Sequence, residues 1–413
     1  TDLIFGGPTC TVTSIIPGSP SPFTSSMQGI CHSIISCRAL AGIPIGRCPA
    51  TNVCCVFPRT CDGKSSQNQT YFTNPAYPSP FNGTNSCALT IYKVASPFKI
   101  CQLRLDFIDF ELNRPVNGNC NTDRMVISGQ NSNSIIPALC GYNTGQHSKK
   151  LNATKIIFLS FSILYTVYVD IDSTQGPYTI RIITEGPGYR RWNIQITQIE
   201  CLNLSRAPQN CLQYNTGPSG TFSSFNYERL RMNEPSQTTG QRELEANYLN
   251  GLDYAICFRK EAGFCSQTYN TNSSSTNFEI VNIHADGTPV FNQNSAGAGV
   301  LKCRYDYLVL SGIRFCGNRL NIQGAQAANT QVTTDAPITV LRFSSLRQVL
   351  RYVLNEQKNH IYHNFYDEKY ADTSSGPFIA RFHSDYNMTG RGFRISYKQN
   401  PCGAIIPGLT IPT

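Results

Sequence analysis

Two ten-residue stretches decide the fold: Cys120-Asn121-Thr122-Asp123-Arg124-Met125-Val126-Ile127-Ser128-Gly129 and Cys303-Arg304-Tyr305-Asp306-Tyr307-Leu308-Val309-Leu310-Ser311-Gly312. Each runs from a cysteine through C-x-x-D into an alternating apolar strand and stops at Ser-Gly. Each is followed by Cys-Gly, at Cys140-Gly141 and Cys316-Gly317. Upstream, the first copy has Cys61, then Asn74-Pro75-Ala76-Tyr77-Pro78, Cys87-Ala88-Leu89-Thr90-Ile91 and Leu103-Arg104-Leu105-Asp106-Phe107. The second begins at Cys211 and continues through Thr221-Phe222-Ser223-Ser224-Phe225-Asn226-Tyr227 and Tyr254-Ala255-Ile256-Cys257, closing on Gly392-Phe393-Arg394-Ile395-Ser396-Tyr397. The segments between, such as Tyr178-Thr179-Ile180-Arg181-Ile182-Ile183 and Trp192-Asn193-Ile194-Gln195-Ile196-Thr197, alternate with period two and are rich in β-branched and aromatic residues. That is the signature of strands, and many strands separated by Gly, Pro and Asn turns predict sandwiches.

Composition sets the class. In 413 residues, 40% are apolar and 14% charged, enough for several cores, so two or three domains are expected. Eighteen cysteines in irregular spacings, without repeated CxxC pairs, predict disulfides formed in an oxidising compartment instead of zinc sites. Asn-x-Ser/Thr acceptors at Asn68, Asn82, Asn152, Asn203, Asn272 and Asn387 agree with export. The start, Thr1-Asp2-Leu3, lacks a signal peptide, which reads as a mature chain. Ile156 to Val169 is too short and too rich in Ser, Thr and Tyr to span a bilayer and reads as a buried strand. A net charge of +9, with Lys and Arg scattered, argues against nucleic acid as a partner and favours acidic ones modestly.

The first 61 residues hold seven cysteines, and Cys10, Cys31, Cys37, Cys48, Cys54 and Cys55 form a group ending in an adjacent pair. So short a segment needs three bridges to stay folded. Its spacing, C-x20-C-x5-C-x10-C-x5-CC, resembles the clip module of arthropod extracellular proteins. From Cys61 onward the two copies resemble CUB modules, and the join Cys211-Leu212-Gln213-Tyr214-Asn215-Thr216-Gly217 resembles that of arthropod proteins with two of them. The resemblance implies an all-β chain of two antiparallel, jelly-roll-like sandwiches. The expected domains are a disulfide-rich module over 1–60, a first CUB-like domain over 61–201, a second over 202–402, and a tail over 403–413. Within the second, 320–376 is an insertion where Leu346, Val349, Leu350, Val353 and Leu354 fall at helical spacing, predicting one short helix.

The resemblance also implies the bridges Cys61–Cys87, Cys120–Cys140, Cys211–Cys257 and Cys303–Cys316. Cys101–Cys201 and Cys265–Cys402 then follow by elimination, with a hinge bridge Cys201–Cys211 as the competing pairing. Many CUB modules hold calcium through three acids, and calcium favours such clustered oxygens. Glu111, Asp123 and Asp172 are the candidates in the first module, and Asp306 and Asp385 in the second, with no Glu in the first place there. No other cofactor is expected.

The chain has no Gly-Asp-Ser-Gly-Gly nucleophile segment, no HExxH, and no third glycine after Gly297-Ala298-Gly299 for a dinucleotide loop. His360 and His363 lie near Asp367 in the insertion, a pattern more common on a surface than in a metal site. The reading is therefore a secreted, non-enzymatic protein that binds extracellular proteins or copies of itself, through exposed strand edges, sandwich loops and the apolar ends Leu3–Phe5 and Ile405–Ile411. The alternative is a non-catalytic regulator of an extracellular serine-protease cascade.

Overall fold

The computed structural model describes residues 7–15, 24–145, 166–227, 247–271, 277–282, 296–321, 331–335 and 376–402. The helix expected in the insertion, His360, His363, both chain ends, Asn152 and Asn272 lie outside them. The chain divides into one unit of Thr1–Gln213 with Phe225–Leu249 and a second of Tyr214–Ser224 with Asn250–Thr413.

In the first unit two sheets face each other. One is four-stranded, ordered Gly63–Ser65, Asn85–Ile91, Tyr178–Thr184, Arg124–Ser128. Register explains its inner face: Ile180 sits between Leu89 and Ile127, and Ile182 between Cys87 and Met125, all of them buried. The other sheet places Arg191–Glu200 between Thr70–Thr73 and Ile100–Glu111, with Thr166–Asp170 beyond. Ile194 packs between Phe72 and Phe107 in register, and Trp192, fully buried, lies 6.1 Å from the Phe72 ring and 5.8 Å from Phe81. Each such large apolar side chain contributes about 1.5–3 kcal/mol on burial.

The N-terminal region is no separate bead. Val53–Arg59 runs parallel to Thr70–Thr73, pairing Phe57 with Thr70 and Arg59 with Phe72, so that Thr9–Ile15, Thr24–His32 and Val53–Arg59 extend the sandwich sheet. The Tyr71 hydroxyl accepts from Gln28 N at 2.7 Å and donates to Gln28 O at 3.0 Å. Cys10–Cys54, Cys31–Cys48 and Cys37–Cys55 hold a core of Ile30, Cys37, Cys55 and Phe57. A six-residue helix, Ile34–Ala39, capped by the Ser33 side chain on Ser36 N, carries Cys37 into that core. The period-two reading did not foresee this helix, which is too short to show a 3.6-residue repeat.

The second unit repeats the two layers. One sheet runs in the order Asp253–Phe258, Phe378–His383, Tyr307–Leu310, Ile313–Gly317, Ala296–Ala298. The other is ordered Ser219–Ser223, Gly392–Pro401, Phe264–Asn270, Gln331–Asp335. Its core is aromatic: Phe222 lies 4.9 Å from Phe258, 5.9 Å from Tyr269 and 5.8 Å from Phe393, edge to face. Cys61–Cys87, Cys101–Cys201, Cys120–Cys140, Cys265–Cys402 and Cys303–Cys316 are bonded, and Cys211 and Cys257 are each disulfide-bonded.

Candidate functional site

The end of the first sandwich at which Asp123 enters Arg124–Ser128 is built around an internal ion pair. Asp123 and Arg190 are both fully buried. Arg190 Nε donates to Asp123 Oδ2 at 2.8 Å and Nη2 to Oδ1 at 3.0 Å, the two-pronged geometry that makes arginine–carboxylate pairs strong. Asn113 N at 2.8 Å and Glu185 N at 3.2 Å occupy the remaining sides of the carboxylate. Nη1 donates to Gly83 O, and Nη2 also lies within hydrogen-bond distance of the Glu185 and Gly186 carbonyls. Backbone pairing places it: Phe81 and Arg190 exchange two hydrogen bonds, and Asn74, in the turn before Tyr77, accepts from Trp192 N.

Nearer solvent, Arg191 Nε lies 2.6 Å from Asp109 Oδ2, without hydrogen-bond alignment, and Nη2 lies 4.0 Å from Glu111. Burial works against the Arg191 charge, but Asp109 and Glu111 outweigh it and raise its pKa. Burial, then Asp109, raises the Tyr77 phenol.

These contacts do not fit a calcium ion at Asp123. The carboxylate already has four donors, and its counter-charge is a guanidinium fixed in the chain. Asp172 lies elsewhere: its carboxylate accepts from Asn131 at 3.1 Å and Gln209 at 2.9 Å, and the Asn131 bond leads the effects that hold its pKa below the usual range. Asn131 follows Arg124–Ser128 while Asp123 precedes it, and that five-residue strand sets them about 16 Å apart at ~3.3 Å per residue. Glu111 shares the Asp123 end and faces Arg191. Among the described residues, the one trio of ligand atoms close enough for a metal is Cys10, Cys31 and Cys48, all in disulfides.

In the second unit Asp306 and Asp385 do come together, with Asp385 N donating to Asp306 Oδ1 at 2.6 Å. Asn282 braces the loop, accepting from Tyr305 N and donating to Asp306 O. On the Asp385 loop, Tyr386 and Met388 are exposed. Of the acceptor asparagines, Asn82, Asn203 and Asn387 are exposed. Asn68 instead uses its side chain as a strand rung, accepting from Gln198 N at 2.7 Å and donating to Gln198 O at 3.1 Å, beside wholly buried Thr70.

Sequence reasoning missed Arg190, the first of two adjacent arginines at the start of Arg191–Glu200, and Asn282. The double arginine carried no motif. Glu185 reaches Asp123 through its backbone N–H, while its exposed carboxylate lies 3.8 Å from Arg124.

This is the class of chain that the paired sandwiches and their C-x-x-D ends define: a protein of CUB domains. Residues 61–166 match the CUB domain and residues 208–400 the animal CUB domain, so the chain carries two CUB domains behind a disulfide-rich N-terminal region. It is similar to the CUB1-EGF-CUB2 domains of rat MASP-1, at 13% identity over 81% of this chain and 99% of that one, with a TM-score of 0.23. It is also similar to the same region of human MASP-1/3, at 12% identity over 80% of this chain and 98% of that one, TM-score 0.21. A third likeness is to the extracellular region of zebrafish Gpr126/Adgrg6, at 12% identity over 61% of this chain and 22% of that one, TM-score 0.24. No curated protein matches. CUB domains are non-catalytic interaction modules, and with bonded cysteines throughout they fit an extracellular protein. No helix among the described residues is long and apolar enough to cross a membrane.

Proposed function

We propose that this chain is a secreted, non-catalytic protein that binds extracellular proteins, including further copies of itself. The observation that carries the reading is the pair of CUB domains in a chain whose cysteines are all bonded. Binding of this kind needs surface and not a reactive centre. The N-terminal region offers Ile34, Ile35, Ile43 and Ile45, each at least 40% exposed, and the second CUB domain offers the Tyr386–Met388 loop. The arthropod affinity and the clip-like character of the N-terminal region belong to the same proposal. Calcium does not enter it through Asp123, and in the second domain Asp306 and Asp385 would supply two carboxylates.

Sedimentation velocity across a hundredfold range of concentration, with electron microscopy of the largest species, tests the reading. Concentration-dependent ordered oligomers support self-association, as does a change in them on deleting Leu3–Phe5 or Ile405–Ile411. A strict monomer that captures a serine protease from the native fluid would transfer the chain to the protease-regulator reading.

A further inference from the structure

The outward face of the larger sheet in the second unit carries an ordered array of cations. Tyr254, Ile256, Leu308, Leu310, Ala380 and Phe382 are buried, so strand alternation turns Asp253, Tyr307, Val309, Ile379, Arg381 and His383 the other way. Arg381, Val309 and Arg314 form one cross-strand row, and His383 and Tyr307 pair in the next. The Arg314 guanidinium lies 3.8 Å over the Tyr307 ring. Tyr307 stacks in turn on His383, 4.9 Å between centroids at 23°.

Arg314 Nη1 also donates to Cys303 O, bringing the exposed Lys302 and Arg304 alongside. Two strand spacings put the Arg381 and Arg314 backbones about 10 Å apart. The acid on this face is Asp253, held by Arg381 at 2.7 and 2.8 Å. Among the described residues no carboxylate pairs with Lys302, Arg304 or Arg314. Ring stacking thus orients Arg314, leaving its charge for a ligand.

We propose that this face docks an acidic segment of a protein partner, its carboxylates meeting Arg314, Arg304 and Arg381 and its apolar residues meeting Val309 and Ile379. Charge complementarity selects an acidic partner, and the aliphatic neighbours select a polypeptide over a sulfated polysaccharide. Arginine and tyrosine beside exposed aliphatics make up the centre of protein interfaces, whereas a polyanionic sugar would leave Ile379, 46% exposed, without use. The inference rests on the reading of the chain as a protein-binding protein.

Fluorescent poly-L-glutamate, titrated into the full chain and followed by anisotropy, supplies the test, with heparin as the second arm. Asp253→Asn frees Arg381 and should tighten polyglutamate about fivefold, the equivalent of ~1 kcal/mol for one charge. Arg314→Gln should weaken it by a similar factor, and Arg181→Gln, an exposed change in the first unit, should leave it unaltered. Tightening by Asp253→Asn is a gain that misfolding does not produce. The site is refuted if polyglutamate does not bind, if Asp253→Asn has no effect, or if Arg181→Gln costs as much as Arg314→Gln. A loss on Arg314→Gln seen with heparin alone would make it a polysaccharide site. Oligomers that form normally in a chain indifferent to polyglutamate would remove this face and leave the wider function standing.

Discussion

Replacing Arg190 by methionine keeps the apolar length of the side chain and removes its charge. Two hydrogen bonds to Asp123 disappear, the carbonyls of Glu185 and Gly186 lose the guanidinium, and Gly83 O is left with Thr184 Oγ1. Asp123 stays fully buried with two backbone N–H groups and no cation. Breaking a buried pair from one side costs about 3–5 kcal/mol, because the remaining charge is stranded away from water. For a unit of this size each kcal/mol moves the melting temperature by about 2–4 °C, so the first unit should melt roughly 10 °C lower. Differential scanning calorimetry reads this directly. Arg190→Met with Asp123→Leu should regain much of the loss, since the stranded charge goes too. A shift of Arg190→Met below about 2 °C would refute the reasoning. So would a calcium-induced rise in the wild-type transition that Asp123→Asn abolishes, since a bound ion stabilises by mass action.

Three further outcomes follow from the same structure. A non-reducing peptide map should recover Cys101 joined to Cys201 and no peptide joining Cys201 to Cys211; Cys101→Ala with Cys201→Ala should cost about 4–5 kcal/mol in denaturant unfolding, the bridge closing a separation of 100 residues. Glycopeptide mass spectrometry should find sugar on Asn82, Asn203 and Asn387 and bare Asn68, whose amide is committed to Gln198. Burial, and then Glu261, hold the Tyr397 phenol up at about 12, above its unfolded value of 10.0. A phenol raised in the folded state contributes stability that is whole below pH 10 and lost as pH rises toward 12. Ultraviolet titration should therefore show tyrosine ionising late in the folded chain, with stability falling over that interval.

The strands and the repeat were legible because their information is local. Alternation in Tyr178–Thr184 and the C-x-x-D starts are visible within ten residues, and a one-residue slip would turn Ile180 and Ile182 out of the core. Long-range strand partners were not legible, although the long-range bridges Cys101–Cys201 and Cys265–Cys402 were. The parallel pairing of Val53–Arg59 with Thr70–Thr73 leaves no turn between neighbours, so the N-terminal region read as an independent module. The acids of the candidate site were each visible as types. Which end of a strand each occupies depends on loops, and that separation between Asp172 and Asp123 is not written in their spacing along the chain. Arg190 was invisible for the opposite reason: a basic residue in a Gly-rich loop reads as solvated surface until the backbone ladder to Phe81 draws it inside.

The continuous sheet of the first unit bears on how tension would pass through the molecule. A pull on Thr9–Ile15 reaches Val53–Arg59 through the Cys10–Cys54 bond. It then crosses to Thr70–Thr73 and on to Arg191–Glu200 through rungs lying side by side. Rungs loaded along their strands share the force and must fail together, unlike a hairpin, which opens one bond at a time. A tether fastened to Thr9–Ile15 would therefore pull on the body of the sandwich itself.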